Sequence, residues 1–142
     1  MFRQLDEKIF VSPQIGPSDI NDARVRGVTL VINNRPDGEA PDEPQGAEIE
    51  TAARAAGMDY LAIPVGHGGF SQPQVAAMAD ALENASGPVL AYCRTGTRST
   101  LLWSLARAKM GDDPAELHAK ANGAGYDLAP VATLIDMLAG RR

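Results

Sequence analysis

The sequence predicts an α/β fold of three layers, a mostly parallel central sheet flanked by helices, in one domain over residues 1–142. Three observations carry this prediction. Short β-branched apolar runs alternate with helical segments. Capping and turn residues mark most changes of period. The run PVLAYC, apolar throughout, leads straight into a polar loop and then a helix.

Taken in order, KIFVSPQI (8–15) reads as the opening strand, with Pro13 making it edge-like. Ser18 caps a short helix over 19–26, and Gly27 stops it. VTLVIN (28–33) is a buried strand. The polar loop NRPDGEAPDEPQ (34–45) follows, with three prolines, and connections of that length often serve a function. Residues 46–56 form an alanine-rich helix ending at Gly57. DYLAIPV (59–65) is the next strand, followed by the loop GHGGF. Ser71 and Gln74 fit a capping box, and Val75, Met78, Ala79 and Leu82 share a helical face. PVLAYC (88–93) is a fully buried strand, and a helix over 98–109 carries Leu101, Leu102, Leu105 and Ala106. Asp113-Pro114 opens another helix, Asp127 reads as a cap, and Val131, Leu134, Ile135 and Leu138 line the last helix.

Composition narrows the function. No run approaches the ~20 apolar residues of a membrane span. The start, MFRQLDEKIF, has no signal-peptide core, and one cysteine suits a reducing compartment, so a cytoplasmic protein is expected. A net charge of −5 without a basic stripe argues against nucleic acid. An acidic protein that takes an anionic substrate must create its positive field within one loop.

CRTGTRS (93–99) is such a loop. It joins a strand to a helix N-terminus, where inward backbone N–H groups and the helix dipole favour negative charge. Gly96 permits the tight turn and close approach to the backbone. Cys93 at its head is a thiolate nucleophile in an electropositive setting. Arg98 grips an oxyanion bidentately, Ser99 donates to the sulfur, the loop residues Thr95, Gly96 and Thr97 bind the anion, and Arg94 either steers the anion or is solvated. As a plain core cysteine, Cys93 would need neither the glycine nor the two arginines beside it.

The loop resembles the anion-binding signature of the cysteine phosphatases and the active-site loop of rhodanese-type sulfurtransferases. LDEKIFVSPQI, INNRPDGE, IPV followed by GGFS, and YCRTGTRS together resemble the phosphatase-like domain of the beta-lactamase hydrolase-like proteins. That resemblance covers nearly the whole chain and implies a cysteine-phosphatase-like fold with the loop at a strand's carboxyl end. It also implies a sulfide-oxidation context, with a thiol acceptor or a persulfide-dioxygenase-type partner.

Phosphatases of this kind have five residues between cysteine and arginine and usually histidine before the cysteine; this chain has four, and Tyr92. A smaller ring of donors suits a sulfane sulfur better than a phosphoryl group with three equatorial oxygens. The sequence therefore favours a cysteine-dependent sulfurtransferase working through a Cys93 persulfide on thiosulfate or a small persulfide. The alternative is a phosphatase working through phosphocysteine on a phosphate ester, and a non-catalytic anion-binding module comes third. Phosphate chemistry also needs a general acid. Asp37 and His67 are the two candidates, although Asp37 reads more readily as an Asp-Gly turn residue and His67 as a solvated surface histidine. Arg35 either reaches the substrate or pairs with its own acidic loop. His118 reads as structural or exposed, and Trp103 as core. No cofactor is implied, and the two histidines and one cysteine lack metal-ligand spacing.

Overall fold

The computed structural model describes residues 1–41 and 43–140. Five strands form one sheet: β1 (Arg3–Asp6), β2 (Ile9–Ser12), β3 (Leu30–Asn33), β4 (Asp59–Ala62) and β5 (Val89–Tyr92). Their order is β1-β2-β5-β3-β4, with β1 antiparallel to β2 and the other pairs parallel. The longer helices are α1 (Ile20–Val25), α2 (Gly46–Ala55), α3 (Gln72–Asn84), α4 (Thr97–Lys109), α5 (Pro114–Gly123) and α6 (Ala132–Leu138).

Side-chain alternation along β5 assigns the two faces of the sheet. Val89 and Ala91 point into one core with Leu102, Trp103 and Leu105 of α4, Val75 and Met78 of α3, Leu117 of α5 and Ile135 of α6. Leu90 and Tyr92 point into the other, with Ile20 and Ala23 of α1 and Ile49 and Ala53 of α2. β5 is buried at every position because helices cover both its faces, so it reads as a continuous apolar run.

Two expectations are corrected here. A strand precedes KIFVSPQI: β1 pairs with β2, which therefore lies inside the sheet between β1 and β5. Pro13 lies just past the end of β2, so its missing N–H interrupts no ladder. Ser18 also does not cap the first helix; a 3₁₀ turn at Pro17–Asp19 precedes α1, and the Asp19 carboxylate accepts the Gly16 N–H at 2.8 Å. Other boundary signals match the structure. Ser71 and Gln74 form a reciprocal capping box at α3, and Gly27 and Gly57 take positive φ after α1 and α2. The Asp127 carboxylate accepts the Ala129 N–H at 2.9 Å, at the start of the turn before α6.

The carboxyl ends of β2, β5, β3 and β4 all open to the same edge of the sheet, and the connections after them meet there. β5 is central, so its C-terminal loop is surrounded by the others. Leu102 of α4, fully buried in the core, should lose about 2–5 kcal/mol of unfolding free energy on substitution by alanine. Chemical denaturation checks this through a lower midpoint at unchanged slope.

Candidate active site

Cys93 follows the last residue of β5 and is buried. Its N–H donates to the Ser12 carbonyl at 3.3 Å, continuing the β2–β5 pairing by one residue. The chain then turns through Gly96, whose φ of +90° makes it the left-handed N-cap of α4. The turn brings the Gly96 N–H to 3.1 Å from Cys93 Sγ, a hydrogen bond from backbone to sulfur. Thr97 begins α4, so the helix N-terminus lies directly behind the sulfur. Arg94, Thr95 and Thr97 are exposed on the outer side of the loop, where the Thr95 and Thr97 hydroxyls bond each other at 3.0 Å.

Arg98 points back across this loop. Its Nη1 donates to Glu39 Oε2 at 2.8 Å and to the Val65 carbonyl at 2.7 Å, and its Nη2 donates to Glu39 Oε1 at 2.7 Å. A guanidinium has five N–H donors, so these contacts leave one on Nη2 and one on Nε. Those two form the side-on fork that fits an oxyanion. The Glu39 hydrogen bond raises the guanidinium's pKa above its ordinary value, and the nearby Cys93 sulfur adds to the effect.

Glu39 is the residue that sequence reading missed. Its Oε1 also accepts from Arg35 Nε at 2.8 Å, and its side chain is only 12% exposed. The hydrogen bond from Arg98 lowers its pKa to about 2, with Arg35 adding to the shift. Arg35 is buried and further committed to Gln14 Oε1 at 3.0 Å and to the Glu43 carboxylate at 3.6 Å. It pairs with its own acidic loop and anchors Glu39. His67, on the glycine-rich loop after β4, is 85% exposed at its side chain and places Nε2 3.6 Å from Glu39 Oε2. Asp37 lies elsewhere: its Oδ1 accepts the Gly46 N–H at 2.8 Å at the first residue of α2.

Ser99 differs from the sequence expectation of a donor to the sulfur. It is fully buried, and its hydroxyl donates to Asn34 Oδ1 at 2.8 Å. Asn34 is a second residue missed in the sequence. Its Nδ2 donates to the Ile63 carbonyl at 3.0 Å, its N–H to the Tyr92 carbonyl at 2.8 Å, and its carbonyl accepts the Val65 N–H at 2.9 Å. One side chain and its backbone thus fasten the ends of β3, β4 and β5 to α4. Tyr92, in the place of the phosphatase histidine, points to the opposite face of the sheet from Cys93, and burial pushes its phenol up. It does not act on the sulfur. His118 lies half-buried in α5, away from this loop, and Trp103 is core, 1% exposed.

The depressed pKa of Glu39 fixes the sign of one prediction. A carboxylate held below its unfolded value adds stability that is complete above about 4.5 and is lost as pH falls from there toward about 2. Glu39→Gln should therefore flatten the acid limb of the stability–pH curve in that interval. Urea unfolding of both proteins across the interval measures it.

Comparison with known proteins identifies the family and the fold. The family described as beta-lactamase hydrolase-like protein, phosphatase-like domain, matches residues 1–110. Beta-lactamase hydrolase-like proteins from Agrobacterium fabrum and Xylella fastidiosa are 35% and 33% identical over 76% and 93% of this chain. The chain spans only 25% and 31% of the length of those relatives. A solved structure of a candidate phosphatase from Neisseria meningitidis is 34% identical, covers 96% of both chains and superposes with a TM-score of 0.83. More distant is TpbA of Pseudomonas aeruginosa, solved in complex with pTyr, which shares the fold at 18% identity, 97% and 87% coverage and a TM-score of 0.67. With its cysteine loop at the end of β5 and its fold that of the cysteine phosphatases, the chain belongs to the phosphatase-like domain family of the beta-lactamase hydrolase-like proteins.

Proposed function

We propose that this protein is a cysteine-dependent phosphatase acting on a small phosphate monoester. The observation that carries the reading is the side-on fork of Arg98, oriented by Glu39 and Val65 beside a sulfur that already accepts a backbone N–H. Resemblance to solved phosphatases of the same fold, one of them holding pTyr, supports a phosphate ester as substrate. No helix among the described residues is long and apolar enough to cross a membrane.

In the first step the Cys93 thiolate attacks phosphorus; the S–P bond forms as the ester P–O bond breaks. Arg98 holds the equatorial oxygens while charge redistributes over them, and the Gly96 amide faces the sulfur. The leaving oxygen takes a proton from His67. We assign this role to His67 because its Nε2 reaches the carboxylate that grips Arg98, whereas Asp37 is bound to the start of α2. Water then attacks phosphorus, the S–P bond breaks, and His67 takes the proton of that water.

Sulfur transfer remains the second reading, favoured by the four residues between Cys93 and Arg98. There the thiolate attacks the outer sulfur of thiosulfate, sulfite leaves, and a thiol takes the sulfane sulfur from the resulting persulfide. Parallel assays separate the two. Aryl phosphate should be hydrolysed by the wild type and not by Cys93→Ser, and thiosulfate with cyanide should give no thiocyanate. Thiocyanate without phosphate release would reverse the order.

His67→Gln should slow hydrolysis of phenyl phosphate by about 100-fold, the usual scale of general acid catalysis. An ester with a leaving group as acidic as nitrophenol needs little protonation and should slow far less. Equal loss on both esters would remove His67 from the proton transfer.

A further inference from the structure

Two outward carbonyls of the nucleophile loop are each held by a donor from another part of the fold. The Arg94 carbonyl accepts the Gln14 N–H at 3.2 Å, and the Thr95 carbonyl accepts the Tyr126 hydroxyl at 3.1 Å. A trans peptide is planar, so a C=O and the N–H of the next residue point in opposite directions. Holding the Thr95 carbonyl toward Tyr126 therefore turns the Gly96 N–H inward, where it meets Cys93 Sγ at 3.1 Å.

We propose that Tyr126 is a positioning residue for the nucleophile, aiming the Gly96 amide at the Cys93 sulfur through its hydrogen bond to the Thr95 carbonyl. The proposal rests on thiol chemistry at Cys93, and it holds whichever group the thiol accepts.

Tyr126 is itself fixed. Its N–H donates to the Ala121 carbonyl at 2.9 Å as the chain leaves α5. The Arg3 guanidinium lies 5.5 Å from its ring centroid and donates from Nη1 to the Ala124 carbonyl at 2.9 Å. Burial raises the phenol above its ordinary range, which keeps the hydroxyl a donor. The hydroxyl also occupies the space that a side chain at residue 96 would need, so glycine there answers both to its φ of +90° and to this close approach. β1, the α5 end and the nucleophile loop are thereby joined through one ring.

Removing the hydroxyl while keeping the ring tests the assignment. Alkylation by iodoacetamide is followed against pH in wild type and Tyr126→Phe, with circular dichroism as the check on folding. The variant's rate profile should move toward alkaline pH, with alkylation at neutral pH slower by about three- to tenfold, the scale of one lost hydrogen bond. At about pH 10, above the ordinary thiol range, the two rates should coincide. Arg3→Ala, which loosens the ring, should move the profile the same way by less. Superimposed profiles, or equal slowing at every pH, would overturn the proposal, the second because the hydroxyl would then govern access alone. Alkylation needs no substrate, so failure here is distinguishable from absence of phosphatase activity.

Discussion

The two-pronged ion pair between Arg98 and Glu39 is the constraint on which the site depends. It joins α4 to the long connection after β3, and the Arg98 bond to the Val65 carbonyl adds the connection after β4. An arginine at a helix N-terminus has many rotamers and costs up to about 2 kcal/mol of side-chain entropy to hold still. Here a carboxylate and a carbonyl hold it before any substrate arrives. Electrostatic preorganisation of this kind is where enzymes gain much of their rate. The pair is mostly buried, so salt screens it less than a surface ion pair.

The remaining framework makes that pair possible. Glu39 keeps its place because buried Arg35 holds it and is itself held by Gln14, on the connection after β2. Asn34 holds strand ends and α4 in register through the buried Ser99 hydroxyl. Arg35 and Arg98 thus share the Glu39 carboxylate at the carboxyl edge of the sheet, and Arg35 is also paired with Glu43.

Much of this was legible in the sequence, and the gaps have physical reasons. The strand–loop–helix around Cys93 announced itself because PVLAYC is buried on both faces and the glycine and arginines follow at once. Ser71 and Gln74 are local signals, and they form the capping box. β1 was missed because RQLD is four residues with one buried side chain, leaving too little pattern to read. Pro13 reads as an edge signal only for a strand that runs past Ser12, where β2 ends. Glu39 and Asn34 act through partners 59 and 65 positions away, which no local periodicity records. Four residues between Cys93 and Arg98 favour sulfur in the sequence alone. That count constrains the ring of donors but is silent on the fork that Glu39 prepares on Arg98.

Trapping the covalent intermediate tests the central claim most directly. Acid quench during turnover of an aryl phosphate, followed by peptide mass analysis, should find a phosphoryl group on the peptide carrying Cys93. Incubation with thiosulfate should leave that peptide unmodified. A sulfane sulfur on Cys93 after thiosulfate, with no phosphoryl adduct under any quench, would contradict the account.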